Sequence, residues 1–214
     1  MMGRSGRDYF AINKWRIRKL SFHEYYKLGW FDCGDSEINE FFIEDALPHK
    51  QELMAESYVF EYKNSPLALV SFQNDSIQFD DDENGERKKF GKGINLPFQK
   101  RYKSIPAIKL GRLGVHKEYV NNGVGSNLLS HCKKLFVTKN RTGCRLITVD
   151  SYIKRIEFYQ NNDFILLPNQ NIEGKKEDDT VIMYCDLKPY SNSPKENSSN
   201  LSNFFSTIKK ILYT

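Results

Sequence analysis

Several features that would mark a specialised chain are scarce or missing from these 214 residues. There are only four cysteines, Cys33, Cys132, Cys144 and Cys185, with no CxxC and no Cys/His pair at metal-ligand spacing. Neither a disulfide framework nor a metal site is expected, and reduced, mostly buried thiols in a cytosolic protein are the default. No apolar run approaches the roughly 20 residues that span a bilayer. The segment from Met1 to Phe10 is polar and charged and lacks the apolar stretch of a signal peptide. The expected location is therefore cytoplasmic, with no membrane span. There is no internal repeat and no large excess of one charge: 32 lysines and arginines stand against 27 acidic residues, a net +5.

What is present is a core. Hydrophobic residues make up 39% and aromatics 14%, with 15 Phe and 12 Tyr, which excludes wholesale disorder and suits one ordinary domain with a short appendage. The modest positive balance is concentrated. From Glu86 to Lys103 there are seven basic residues (Arg87, Lys88, Lys89, Lys92, Lys100, Arg101, Lys103) and one acid, a local +6. Such a segment fits either a solvated loop or a surface that attracts phosphate-bearing partners, coenzyme A and RNA among them.

Periodicity divides the chain. Trp15 to Leu20 reads as a first strand. Asp35 or Ser36 is placed to cap a helix running to about Ala46, with Ile38, Phe41 and Phe42 at helical spacing. Ser57 to Tyr62 and Pro66 to Phe72 read as a hairpin around an Asn64-Ser65 turn. Residues 80–104 read as a basic loop or insertion without apolar period. From Ala107 the apolar alternation slips by one residue across Gly111 and Arg112, which suggests a β-bulge. Val124 to Val137 has helical spacing, Leu146 to Val149 is strand-like, and Ile153 to Asn161 reads as a short helix. Phe164 to Leu167 and Val181 to Leu187 read as final strands. The domain reading is a lead-in over 1–14, one domain over 15–188, a linker over 189–203 and an amphipathic helix over 204–214. Nine of the 13 residues from Ser191 to Asn203 are Ser or Asn.

The segment from Arg112 to Leu129, RLGVHKEYVNNGVGSNLL, carries the chemistry. It reads as a strand, a turn holding Gly123 and Gly125, and a helix that opens at the glycines. A helix N-terminus offers free N–H groups and a positive dipole end, and glycine lets a phosphate approach them closely. The residues alone fit a pyrophosphate cradle or a purely structural turn. No Lys-Ser/Thr pair follows, which argues against a P-loop, and Leu128 occupies the third glycine position of a dinucleotide fingerprint.

The context resembles the GNAT acetyltransferase family. That family's central motif, Gln/Arg-x-x-Gly-x-Gly/Ala, is similar to Val120-Asn-Asn-Gly123-Val-Gly125, with Val120 as the departure. CRLITVD from Cys144 to Asp150 looks like its fifth strand. IEFYQNNDF from Ile156 to Phe164 looks like its "FY…GF" signature, with Asp163 in the place of glycine. FDCGDSEINEF from Phe31 to Phe41 looks like the opening of a branch that includes toxin acetyltransferases acting on aminoacyl-tRNA. The resemblance spans about residues 15 to 187, with the machinery between Ala107 and Phe164.

It implies an α/β (α+β) fold with a mixed, mostly antiparallel central sheet flanked by helices and splayed fourth and fifth strands. It implies an N-acetyltransferase that moves an acetyl group from the cosubstrate acetyl-CoA to a primary amine by direct attack. Cofactor contacts would come from Leu113, Gly114 and Val115 and from Asn121, Asn122, Gly123, Val124, Gly125 and Ser126. Tyr159 would be the general acid, since a phenol can protonate a departing thiolate. Arg112 either faces the ligands or is an edge charge. No carboxylate lies between Ala107 and Val115, where a general base would stand, and Lys109 lies there instead. An α-amine, with a pKa near ~8, requires less help than a lysine. His116 is a possible proton shuttle or a loop residue.

The acceptor classes open at this point are a small-molecule or peptide amine and the α-amine of aminoacyl-tRNA, the latter with an antitoxin partner expected. A homodimer fits either. The alternative of another class is a non-catalytic acyl-CoA-binding or interaction module.

Overall fold

The computed structural model describes residues 9–12, 14–79, 86–97, 102–139, 142–168 and 170–192. Eight strands form one sheet: β1 (Tyr9–Ile12), β2 (Trp15–Lys19), β3 (Glu56–Tyr62), β4 (Ser65–Gln78), β5 (Ser104–Val115), β6 (Leu146–Tyr152), β7 (Ile165–Leu166) and β8 (Thr180–Asp186). Their order is β1-β2-β3-β4-β5-β6-β8-β7. Every neighbouring pair is antiparallel except β5 and β6, which run parallel. A parallel pair requires a crossover, and α5 (Val124–Thr138) supplies it. This is the mixed, mostly antiparallel sheet that the resemblance implies.

Strand alternation sends side chains to two differently covered faces. On one face Ile17, Phe60, Ala68, Val70, Ile108, Leu110, Ile147 and Val149 pack with Val124, Leu128, Cys132 and Leu135 of α5 and with Tyr159 of α6 (Ile156–Gln160). On the other, Val59 and Leu69 meet Tyr25 of α1 (Phe22–Tyr25) and Phe41, Phe42 and Ala46. Fully burying one such side chain is worth about 1.5–3 kcal/mol.

The helix expected over 35–46 forms, and Asp35 caps it by accepting from the Ile38 N–H at 3.2 Å. It runs further, as α2 (Ser36–Glu40), a π turn (Phe41–Asp45) and α3 (Ala46–Gln51). The wide turn lets the adjacent Phe41 and Phe42 both point inward, at 6% and 1% exposure. It falls just ahead of Pro48, which has no N–H with which to continue a regular pattern.

Four expectations are corrected. The hairpin turn is Lys63-Asn64, one residue earlier than read, with both residues left-handed (φ 50° and 70°). That geometry matches the twist of the flanking strands. The segment read as a loop or insertion over 80–104 contains α4 (Glu86–Gly93) and the start of β5. Phe90 and Ile94, one helical turn apart, anchor it on Ile77, Ile105 and Tyr184, and two apolar residues among many charges were too few to show a period. Residues 189–192 of the segment read as a linker belong instead to a 3-10 turn, Lys188–Asn192. Tyr9–Ile12, assigned to the lead-in, pairs with β2. Residues 1–8, the rest of the linker and the proposed helix over 204–214 lie outside the described residues.

Candidate active site

The phase slip at Gly111 is a bulge. Ser71 of β4 pairs with Arg112 and Phe72 with Leu110, which leaves Gly111 as the extra residue of β5. Beside this bulge the parallel pairing stops. β5 and β6 are in register from Ala107–Leu146 to Leu110–Val149 and no further, although β5 continues to Val115 and β6 to Tyr152. These are the strands that the family plan calls fourth and fifth, shifted by one because β1 precedes them.

A cavity of about 640 Å³ occupies the split and is lined from both faces of the sheet. From the α5 face come Val115, Gly123, Gly125, Phe158 and Tyr159; from the other come Cys33, Glu37, Ile38, Gln73 and Lys109. Leu113, Gly114, Asn121, Val124 and Ser126 line it as well. Asn122 alone among the candidate cofactor contacts does not, and its amide donates instead to the Val120 carbonyl at 3.0 Å.

The turn into α5 is built for a close approach. Asn121 and Gly123 are left-handed, at φ 60° and 71°, a region that costs glycine nothing and asparagine little. Gly123 occupies the N-cap position without a side-chain cap, so the first N–H groups of this 15-residue helix have no side-chain competitor from that position. Val120, where the family motif has a polar residue, is 44% exposed and offers no donor. Gly114 faces the opposite side, where a Cβ would stand 2.6 Å from Phe31 Cζ and 3.0 Å from Ile38 Cγ2. Only glycine lets the segment carrying α2 sit this close to β5.

Asn162 holds α6 beside the turn, donating to Ser126 Oγ at 3.1 Å and to the Phe158 carbonyl at 2.7 Å. Asp163, the residue in the glycine position, adopts φ 63°. Its carboxylate receives the Lys133 ammonium at 2.8 Å and the Tyr190 hydroxyl at 2.5 Å. Lys133 is buried and also donates to the Asn162 carbonyl at 2.6 Å. The strained position thus gains an ion pair that glycine could not make. Burial would raise the Asp163 carboxyl, but the bonds from Lys133 and Tyr190 prevail and hold it below the usual range.

Tyr159 lies between the rings of Phe158 and Phe164, 5.1 and 5.4 Å away. Burial pushes its phenol well above the ordinary value, and Arg155 draws it back only in part. It therefore keeps its proton at neutral pH. His116 does not line the cavity. It stacks on Trp30 at 6.2 Å and its Nδ1 accepts from the Glu118 N–H at 3.4 Å, a turn-capping role.

The sequence reading missed two carboxylates. Asp150 pairs with Lys109 at 2.5 Å, because the parallel register sets Lys109 beside Thr148 and Asp150 is the next residue on that face. Glu37 comes from α2, far away in sequence. Its Oε1 accepts from Arg112 Nη2 at 2.9 Å and its Oε2 from the Tyr152 hydroxyl at 3.0 Å. The Asp150 position was legible as an alternation beyond Val149, whereas nothing local announces Glu37. Arg112, left open between ligand and edge, lines the cavity. It is held by the Gly111 carbonyl at 2.9 Å and by the face of Phe41 at 5.4 Å. The Cys33 thiol also lines the cavity, but burial raises it and leaves it a poor nucleophile.

A splayed parallel pair, a crossover helix opening on glycines at the split and a buried tyrosine beside it meet at this one cavity. Residues 82–166 match the family model described as an acetyltransferase (GNAT) domain. The fold is similar to that of a tyrosine-to-phenylalanine mutant of KacT, with a TM-score of 0.63 and 19% identity over 83% of this chain and 97% of that one. It is similar to AtaT complexed with acetyl-methionyl-tRNAfMet, with a TM-score of 0.62 and 20% identity over 82% and 96%. It is also similar to AtaTR bound with AcCoA, with a TM-score of 0.62 and 19% identity over 83% and 96%. No curated protein matches the chain by sequence. Among the described residues no helix is long and apolar enough to cross a membrane.

Proposed function

We propose that this chain transfers the acetyl group of acetyl-CoA to a primary amine by direct attack, through the split between β5 and β6. The observation that carries this reading is one cavity reaching both faces of the sheet, with the α5 glycine turn on one side and Glu37 on the other. Acetyl-CoA supplies an activated thioester. Beyond Leu110 the β6-facing edge of β5 has no strand partner among the described residues, so main-chain groups of Leu113 and Val115 would hold the pantetheine amides. The N–H groups over Asn121, Asn122, Gly123, Val124, Gly125 and Ser126 would hold the pyrophosphate. The phenol of Tyr159 would protonate the departing sulfur, a step in which a positioned acid typically contributes about 10²–10⁴-fold.

The acceptor we favour is the α-amine of an aminoacyl-tRNA. This rests on the FDCGDSEINEF opening and on a fold shared with AtaT, which is known in complex with acetyl-methionyl-tRNAfMet. By the same analogy an antitoxin-like protein partner is expected, since AtaT is known bound to the antitoxin AtaR. Of the basic segment, Lys92 and Lys103 are exposed; the side chains of Arg87, Lys88, Lys89, Lys100 and Arg101 lie outside those described. The test is acetyl transfer from labelled acetyl-CoA to bulk aminoacyl-tRNA, to uncharged tRNA and to a panel of small amines and peptides. Label on charged tRNA alone supports this acceptor. Label on small amines or peptides alone replaces it while keeping the transferase reading.

A further inference from the structure

The geometry points to Glu37 as the residue that docks the acceptor amine, its carboxylate receiving the amine in its cationic form at the mouth opposite the glycine turn. The inference rests on the transferase reading above and assigns a residue to its unassigned half.

The argument begins with position. Past Leu110 and Val149 the two strands separate, and Glu37 stands astride the opening, bonded to Arg112 on β5 and to Tyr152 on β6. Both donors are themselves fixed. Arg112 is clamped by the Gly111 carbonyl and lies over Phe41, which is buried. Tyr152 belongs to β6, and its phenol is raised first by the bond to Glu37 and then by burial, so it stays a donor. Each carboxylate oxygen keeps a lone pair beyond the bond it already accepts. The side chain is 58% exposed and lines the cavity, so an incoming group can reach it.

Chemistry supplies the rest. A primary amine arrives from water mostly as an ammonium, and a prepositioned carboxylate is its natural hydrogen-bond acceptor. Asp150 is a weaker candidate because Lys109 turns it back towards the paired part of the sheet. Asp35, on the turn before α2, adds negative charge at the same mouth, and Arg112 offsets part of it. In the reaction the docked ammonium loses one proton to water and its nitrogen bonds to the acyl carbon. The carbon–sulfur bond breaks, and sulfur takes the proton of Tyr159. The second nitrogen proton then leaves and restores the phenol. Glu37 holds the amine throughout and is not consumed.

The test compares wild type with Glu37→Gln and Glu37→Asp. Each is assayed with phenylalanine methyl ester and with bulk aminoacyl-tRNA as acceptors, beside calorimetry with acetyl-CoA and thermal melts. Glu37→Gln keeps the size and the acceptor oxygen for Tyr152 while removing the charge. The expected result is an acceptor KM raised about tenfold or more, as loss of a charge-assisted bond implies. A smaller effect on kcat, an acetyl-CoA Kd within about twofold of wild type and partial rescue by Glu37→Asp should accompany it. An unchanged acceptor KM in Glu37→Gln overturns the inference and leaves the transferase reading standing. A parallel loss of acetyl-CoA affinity and melting temperature also overturns it, by showing that Glu37 only braces the strands. A folded wild type that acetylates neither acceptor overturns the inference, and the transferase reading with it if acetyl-CoA binding is absent too.

Discussion

On the α5 face the sheet is sealed from β2 to β8 by one continuous cluster, in which Leu128, Cys132, Ile147 and Met183 are fully buried. On the opposite face two smaller clusters, one under α1 to α3 and one under α4, leave a polar strip between them. In that strip Thr148 bonds to Asp75, Lys109 to Asp150, and Arg112 and Tyr152 to Glu37. The first face combines rigidity with a helix terminus, which suits a cosubstrate that is the same molecule in every turnover. The second is lined by paired charges that a different partner can engage, which suits the variable substrate. A split sheet lets both meet without either passing through the core.

The sharpest way to break this comparison is at the tyrosine. Tyr159→Phe should lower the turnover number by about 10²–10⁴-fold while acetyl-CoA affinity stays within about twofold. Steady-state kinetics beside calorimetry would show it, and a variant with full activity would move the acid elsewhere. Next in size is the sealed face itself. Leu128→Ala should cost about 2–5 kcal/mol in denaturant unfolding, because a fully buried leucine leaves a cavity under α5.

These two positions were within reach of sequence reading, since Leu128 lies in a helical period and Tyr159 in a recognisable signature. The bulge was also legible, because an apolar alternation that changes phase at a glycine marks an extra residue in one strand. The acceptor side was not. Glu37 meets Arg112 across 75 residues and Tyr152 across 115, so only the folded sheet brings them together. Phe90 and Ile94 were hidden for the opposite reason: they are two anchors in a strongly charged segment whose overall polarity reads as a solvated loop.

Smaller effects sharpen the account. Lys133→Met should cost about 1–3 kcal/mol, since it strips the Asn162 carbonyl of a donor and loosens Tyr190. Asp163→Gly should cost about 1–3 kcal/mol, because the buried Lys133 ammonium loses its carboxylate, partly offset by glycine's easier acceptance of φ 63°. Urea midpoints for the two variants would separate backbone strain from charge at this turn. The smallest effect is one of pH. Burial would raise Glu24, but hydrogen bonds from Arg18 and Ser21 bring it down to about 2. A carboxyl depressed in the folded state adds stability above its unfolded value, near ~4.3, and loses it as pH falls through the folded one. Glu24→Gln should therefore lower stability slightly at pH 7, flatten the acid limb of the profile between about pH 5 and 2, and converge on wild type below it.

Acetyl-CoA titrated by calorimetry into wild type and into a Gly123→Asp/Gly125→Asp double variant tests the central claim most directly, with circular dichroism to show that both chains are folded. The account predicts saturable one-to-one binding to wild type that disappears in the variant, where added carboxylates meet the pyrophosphate at the helix terminus. Equal binding by both chains, or none by a folded wild type, would contradict it.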